Sequence, residues 1–550
     1  MTTTDWQQKV QAKQTQAASK IPAEWRLSAN ILQHVSASKQ SIIDVPRTCG
    51  LLTEKELHIT EDYDATALLA ELATGKVNSV DVTRAFCKRA AIAQQLTSCL
   101  TETFFDVALS RAKQLDDHLA TTGKPMGPLH GLPISIKEPF NVVDIPTSLG
   151  FVSFLDNPPA RRNSAMVEIL LAAGAVLYVK TNVPQTMMTA DSENNVFGRV
   201  LNPHRPNLTA GGSSGGEGAL VAMRGSILGI GTDVAGSIRI PSLCCGTFGF
   251  KPSAGRVPYG GQTSPGRDGL TGIEAVAGPL CHSTRDAELL LRTVFNAHAD
   301  DFDDTALGVP WIEPVSTSST LTIGVLPEDS QVPLHPPMKR TLETAVRKLA
   351  AAGHRIVDLS GKVPSLSAVG DLSLRYFRLD PDNTPLKHIA NGQEPKIASL
   401  KTTYKPEGSD PEPTLRDLYD INVARSKIME QMRRVFLDNQ LDTIVGPGYQ
   451  TCAVPHDTYG FPVYTVLANV LDYPACIIPF GKANEAADAE FIRDVAYVPP
   501  YLPKEVENAP CHVQLIGRRL KDEKLMRHAE MVQGVLAKGS DWANMYTPGY

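Results

Sequence analysis

The sequence predicts an α/β fold, a β-sheet covered by helices on both faces. Two kinds of pattern carry this expectation. Strand-like and helix-like segments alternate, as in the apolar run Leu321–Leu326, the helically spaced Met338–Ala352 and the short strand Arg355–Leu359. The strand segments are also short and apolar throughout, which marks strands buried on both sides. Residues 1–60 read as an N-terminal helical or extended extension, with the polar stretch Thr4–Lys20 expected as a surface helix. From Asp64 onward, Ala65, Leu68, Leu69 and Leu72 keep helical spacing, Gly75 breaks it, and Val80 to Phe86 resume it. Ser164–Ala173 is a helix that stops at Gly174 and leads into the buried strand Ala175–Val179. Residues 361–415, rich in Pro, Ser and charge, are expected to form a loop-rich excursion that shapes a substrate pocket. Arg518–Lys524 is expected as a solvated face.

Composition narrows the class. Hydrophobic residues make up 42% of the 550 and charged ones 20%, enough for a large core. A net charge of −6 argues against a nucleic-acid partner, which would call for a basic surplus. There is no run of about eighteen uncharged apolar residues, so no membrane span is expected. The polar start MTTTDWQQKVQAKQTQ does not resemble a signal peptide, and cytoplasmic residence is the expectation. Nine scattered cysteines suit reduced, buried thiols better than a disulfide framework. Cys244 and Cys245 have no ligand-like spacing to a second pair, and the thirteen histidines lack an H-E-x-x-H arrangement, so neither metal nor cofactor is implied.

Chemistry concentrates between Gly211 and Phe250, a Gly/Ser-dense stretch holding Ser213, Ser214 and Ser237. A plain linker would not carry the apolar runs Ala219–Met223 and Ile227–Ile230. A phosphate-binding P-loop fails because Gly216 is followed by Glu217 and Gly218, not by Lys and Ser or Thr. A dinucleotide fingerprint fails because Val234 stands where a third glycine is needed. Gly212–Gly216 satisfies G-x-S-x-G, but the proline-broken loop Asn202–Asn207 precedes it instead of the strand a nucleophile elbow requires. A second segment, His130–Glu138, runs from a Gly/Pro turn into a short apolar strand ending in Lys137. Serine needs a base to become a nucleophile, and no histidine lies near Ser237 in sequence. A lysine desolvated among apolar neighbours loses its charge readily and can be that base.

On the motifs HGLPISIKE, TNVPQTM, GGSSGGEGAL and GTDVAGSIRIP the chain resembles the amidase signature family. The Asn469–Ala475 element and the Val513–Gly517 strand extend the resemblance over roughly residues 60 to 540, and IPAEWRL and VPRTCGLLTEKE point to its fungal acetamidase-type branch. The interval 237 − 213 = 24 is the one that family keeps between its bridging serine and its nucleophile. The resemblance implies a single large catalytic domain, residues 61–545, with a central mixed sheet. It implies Lys137 as base, Ser213 as the bridging serine held by a cis peptide, and Ser237 as the acylated nucleophile. The N–H groups of Val234, Ala235, Gly236 and Ser237 would bind the oxyanion, Met187 would line the substrate, and Asp233 and Arg239 would support the loop. Many relatives carry two glycines before the nucleophile; Ala235 is tolerable there if its φ is negative. The expected reaction is hydrolysis of a small-molecule carboxylic amide, with esters and carbamates also open, and a homodimer is left open. Two other readings are a Ser-His-Asp hydrolase built on Ser214, whose plain expectation is a turn hydroxyl bonded to local backbone, and an inactive subunit of the same fold.

Overall fold

The computed structural model describes residues 5–37, 39–315, 319–404 and 412–538. The expectations for Thr4, for residues 405–411 of the excursion and for residues 539–545 at the domain end lie outside the described residues.

Among the described residues eleven strands form the main sheet: β1 Leu100–Thr103, β2 Pro133–Lys137, β3 Val176–Thr181, β4 Leu228–Asp233, β5 Phe248–Lys251, β6 Val276–Cys281, β7 Thr322–Val325, β8 Arg355–Asp358, β9 Thr443–Gly446, β10 Ala475–Lys482 and β11 Pro510–Ile516. Their spatial order is β1-β3-β2-β4-β6-β5-β10-β11-β9-β7-β8. The sheet is mixed, as the resemblance implied. β2 runs parallel to both β3 and β4, β7 runs parallel to β8 and β9, and the strands between and the edge strand β1 pair antiparallel. Helices cover both faces, and the central strands β2, β3, β4, β6 and β9 are buried at every position. That burial explains why their sequences read as unbroken apolar runs.

The predicted helices form where the periodicity placed them, at Ala65–Ala73, Ser79–Thr97, Ala165–Ala172 and Pro336–Ala351. Each start has a local cause. Asp64 accepts from the Ala67 N–H at 2.9 Å and Asn78 from the Asp81 N–H at 2.7 Å, while Pro336 and Pro337 occupy a first turn that needs no N–H.

Two expectations are corrected. The excursion after residue 361 is largely helical, with Leu366–Phe377, Thr384–Asn391 and a 3₁₀ turn at Ala398–Thr402. The cues taken for loop are helix starts: Ser365 caps the first helix by accepting from the Ala368 N–H, and Pro385 sits in the first turn of the second. The segment Arg518–Lys524 is not one solvated face. Asp522 is fully buried and accepts from the Ser253 N–H and hydroxyl at 2.7 and 2.9 Å, and Glu523 pairs with Arg256 at 2.6 Å.

The N-terminal segment is part of the body of the molecule. Ile21, Leu27, Val35, Ile42, Leu52 and Ile59 belong to the main core. The surface helix Asp5–Ser19 buries only Val10 of its side chains and is fastened by charge, since Lys13 and Lys20 both reach Glu102 on β1, the latter at 3.0 Å. Because the Glu102 carboxylate is almost wholly out of water, removing it strands the little-exposed Lys13 ammonium. Glu102→Ala should therefore cost about 2 kcal/mol of stability. The expected readout is a lower melting temperature together with earlier proteolytic release of residues 1–20, and an unchanged cleavage pattern would contradict it.

Candidate active site

The carboxyl ends of the adjacent parallel strands β2 and β4 meet at one point, the kind of place where α/β sheets gather their sites. β2 delivers Lys137 there and β4 delivers Thr232 and Asp233. Lys137 Nζ lies 2.7 Å from Ser213 Oγ and 2.7 Å from Thr232 Oγ1, with none of the lysine exposed to solvent. Burial pushes its ammonium down to about 7, against the opposing pull of the Asp233 charge. At neutral pH a large share of Lys137 is therefore a free amine.

Ser213 follows a cis peptide bond from Gly212, as the resemblance implied, and Ser214 precedes the helix Gly215–Ala222. This short helix packs directly on backbone, for a Cβ on Gly216 would stand 2.4 Å from the Asn182 nitrogen and 2.5 Å from the Cys99 carbonyl. The Ser214 N–H donates to the Ser237 carbonyl at 3.2 Å, which ties the two serine segments together. Ser213 and Ser237 line the same cavity, and the Ser237 hydroxyl bonds to no other described residue. No hydrogen bond closes between the hydroxyls of Ser213 and Ser237, a link that commonly tightens only when substrate is bound. Ser214 is fully buried and exchanges bonds of 3.3 Å with the N–H and carbonyl of Thr232. Its partner is a strand rather than the local turn expected, and its hydroxyl is closed to a substrate.

Residues 234–237 wrap around the Asp233 carboxylate. That group accepts from the Gly236 N–H at 2.8 Å, the Ile238 N–H at 3.2 Å, Asn469 Nδ2 at 2.9 Å and, at 3.0 Å each, Arg239 Nε and Nη2. Burial works to raise the Asp233 pKa, but the charge and hydrogen bonds of Arg239, with Lys251 and Asn469, outweigh it and hold the carboxyl at about 2. The N–H groups of Val234, Ala235 and Ser237 bond to no other described residue and are free for a ligand. The fourth expected donor differs, because Gly236 gives its N–H to Asp233. Its contribution is conformational: φ is +133°, and a Cβ would stand 2.3 Å from Thr465 Oγ1. Ala235 has negative φ, the condition under which its methyl is tolerated, and its carbonyl accepts from Thr465 Oγ1 at 2.7 Å. Arg239, fully buried, also donates to the Thr465 carbonyl at 2.7 Å, Gln514 Oε1 at 2.8 Å and Asn469 Oδ1 at 2.6 Å.

The main cavity encloses about 370 Å³, and Leu270, Ile273, Phe377, Leu386 and Tyr404 give it an apolar wall beyond Ser237. Met187 borders it and also a smaller recess of about 50 Å³ on the side of Ile240, Tyr459 and Phe461. The structure thus brings together every site residue expected from sequence. It adds two that were missed. Thr232 is the second partner of Lys137, and its position beside Asp233 in GTDVAGS was the available signal. Glu217 is fully buried, and burial pushes its carboxyl up to about 8. A lone acid among glycines and apolar residues was its signal. Cys244 and Cys245 are buried free thiols, and burial raises both pKa values.

With this geometry in place, the comparisons with known proteins are consistent across sequence and fold. The family model described as Amidase matches residues 81–526. The chain is 39% identical to an amidase of Gibberella moniliformis, covering 98% of this chain and 100% of that one. It is 36% identical to an acetamidase of Emericella nidulans, covering 99% of each. A fatty acid amide hydrolase structure superposes with a TM-score of 0.91 at 31% identity, covering 98% of this chain and 96% of that one. A bacterial aryl acylamidase of the amidase signature family, at 20% identity and a TM-score of 0.69 over 89% of this chain and 98% of that one, shares the fold. The chain belongs to the amidase family and is an amide-hydrolysing enzyme. Among the described residues no helix is long and apolar enough to cross a membrane.

Gly236→Ala tests the loop. The substitution forces an L side chain into φ near +133° and against Thr465, so the segment must shift while the buried Asp233–Arg239 pair stays in place. The expected result is a fall in kcat of about 100-fold with a stability loss of only about 1–3 kcal/mol. Steady-state kinetics beside thermal unfolding would check it, and a change confined to KM would contradict it.

Proposed function

We propose that the enzyme cleaves the C–N bond of linear carboxylic amides through a Ser237 acyl intermediate, with Ser213 and Lys137 carrying the proton. The observation that carries this reading is the fully buried Lys137 amine 2.7 Å from Ser213 Oγ, at the wall of the cavity that holds Ser237. Neutral Lys137 takes the proton of Ser213, Ser213 takes that of Ser237, and Ser237 Oγ forms a bond to the carbonyl carbon. The free N–H groups of Val234, Ala235 and Ser237 receive the negative oxygen as it develops. The C–N bond then breaks as the proton returns through Ser213 to the nitrogen, which leaves as ammonia or an amine. Water enters, loses its proton along the same route and releases the carboxylate, restoring Ser237. Asp233 and Arg239 act on the loop and not on the substrate. Met187 and the helical segment 366–391 shape the pocket.

Relatives named acetamidase support a linear-amide substrate, and the apolar wall of the larger cavity favours an uncharged group on one side of the amide. Cytoplasmic residence belongs to the same proposal, since nine free cysteines, eight of them buried, suit a reducing compartment.

Ser237→Ala should lose amide hydrolysis by about 10⁴-fold or more while keeping its fold, because a methyl cannot be acylated. A fluorophosphonate should add a single mass label to the wild type at Ser237, and a label that persists in the variant would refute the assignment.

Lys137 sets the pH dependence. Its protonated form cannot accept from Ser213, so the rate should rise with pH through a midpoint of about 7, far below the ordinary lysine value. Lys137→Ala should abolish that limb and slow amides much more than activated esters, whose alkoxides leave without a donated proton. Equal losses on a matched amide and ester pair would mean that Lys137 only holds the site together.

A further inference from the structure

The buried acid beneath Lys137 has a hydrogen-bonding pattern that fixes its protonation. Glu217 Oε2 lies 2.6 Å from Ser135 Oγ, Ser135 Oγ lies 2.9 Å from Ser226 Oγ, and Ser226 Oγ lies 2.9 Å from the Leu228 carbonyl. Glu217 Oε1 accepts from Thr181 Oγ1 at 2.9 Å. A row of three contacts ending on a carbonyl needs three protons pointing the same way. Leu228 O can only accept, so the Ser226 proton goes there. The Ser135 proton must then go to Ser226, and the contact between Ser135 and Glu217 has no proton left unless the carboxyl provides it. The neighbouring Tyr178 hydroxyl offers none, because it donates to the Gly225 carbonyl at 2.5 Å. No backbone N–H among the described residues reaches this carboxyl.

We infer that Glu217 is held as a neutral carboxylic acid donating to Ser135, and that it is a positioning residue whose lack of charge lets Lys137 remain a free amine. The placement makes the coupling direct. Ser135 lies two residues before Lys137 on the same face of β2, and Thr181 is paired with Lys137 across β2 and β3. An ionised Glu217 in this dry region would draw Lys137 into its ammonium form, and an ammonium has no lone pair for the Ser213 proton. The upward push that burial gives the Glu217 carboxyl runs the same way. The other titratable groups facing the pair are accounted for. Asp233 is neutralised by Arg239, and Tyr178, Cys99 and Tyr259 are kept neutral by burial.

The inference rests on Lys137 as the base, and the test keeps the two apart. An infrared difference spectrum between wild type and Glu217→Gln at neutral pH should show a buried carboxylic-acid C=O stretch lost in the variant; a lost carboxylate band in its place would overturn the inference. The acid-side midpoint of kcat/KM should be the same in Glu217→Gln as in wild type, whereas a fall of about one pH unit would mean that a negative charge had been removed. Ser226→Ala provides a second route should Glu217→Gln fail to fold. Without Ser226 the Ser135 hydroxyl is free to donate to Glu217, ionisation becomes easier, and the midpoint should rise by about half a pH unit or more. An unmoved midpoint there would overturn the inference. Since the infrared band is read without turnover, an acid limb missing from the wild type would count against Lys137 as base and not against the state of Glu217.

Discussion

The buried pair of Asp233 and Arg239 is the constraint on which the rest of the site depends. Both side chains are wholly out of water, and such a pair costs much of its attraction in lost hydration, so its value lies less in stability than in position. Asp233 ends β4 and gathers the backbone of the following loop around its oxygens. Arg239 reaches across to the Thr465 carbonyl, Asn469 and Gln514, which belong to the helix Val463–Leu471 and to β11. One guanidinium therefore joins three distant parts of the chain at the loop that ends in Ser237. The free N–H groups of that loop hold their direction because the groups around them have nowhere else to turn.

Two ionisable neighbours, Lys137 and Asp233, sit at the ends of adjacent strands in equally dry surroundings, yet their pKa values move for different reasons. Asp233 has a cation and several N–H donors, so its charge is kept. Lys137 has two hydroxyls and no carboxylate in contact, so its charge is given up. Burial alone does not decide the outcome; the identity of the groups that touch the buried atom does.

Much of this was legible in the sequence, and the reasons for success and failure are physical. Gly/Ser density together with apolar runs marked the serine loops, and the resemblance to the amidase signature family singled out Lys137, Ser213 and Ser237, which the structure brings together. Helical periodicity matches the structure at Ser79–Thr97 and Pro336–Ala351, where apolar residues recur along one buried face. After residue 361 the prolines and serines that resemble loop signals instead cap and start helices, as Ser365 and Pro385 do. Asp522 was misjudged because its charge is satisfied by the Ser253 N–H and hydroxyl far away in sequence, and such long-range partners leave no local trace. Thr232 and Glu217 do carry local signals, but each acquires its meaning only when β2, β3 and β4 lie side by side.

The docking of the N-terminal helix at the sheet margin has a consequence for the behaviour of the molecule in a crowded solution. β1 is the outermost strand on its side, and such a strand offers unpaired backbone groups to any extended chain that comes near. The helix Asp5–Ser19 lies against it and is tethered by two lysines to Glu102. A polar helix fixed by charge is a poor template for strand addition. The helix Asp5–Ser19 thus covers one open margin of the sheet, a task separate from the hydrolytic site.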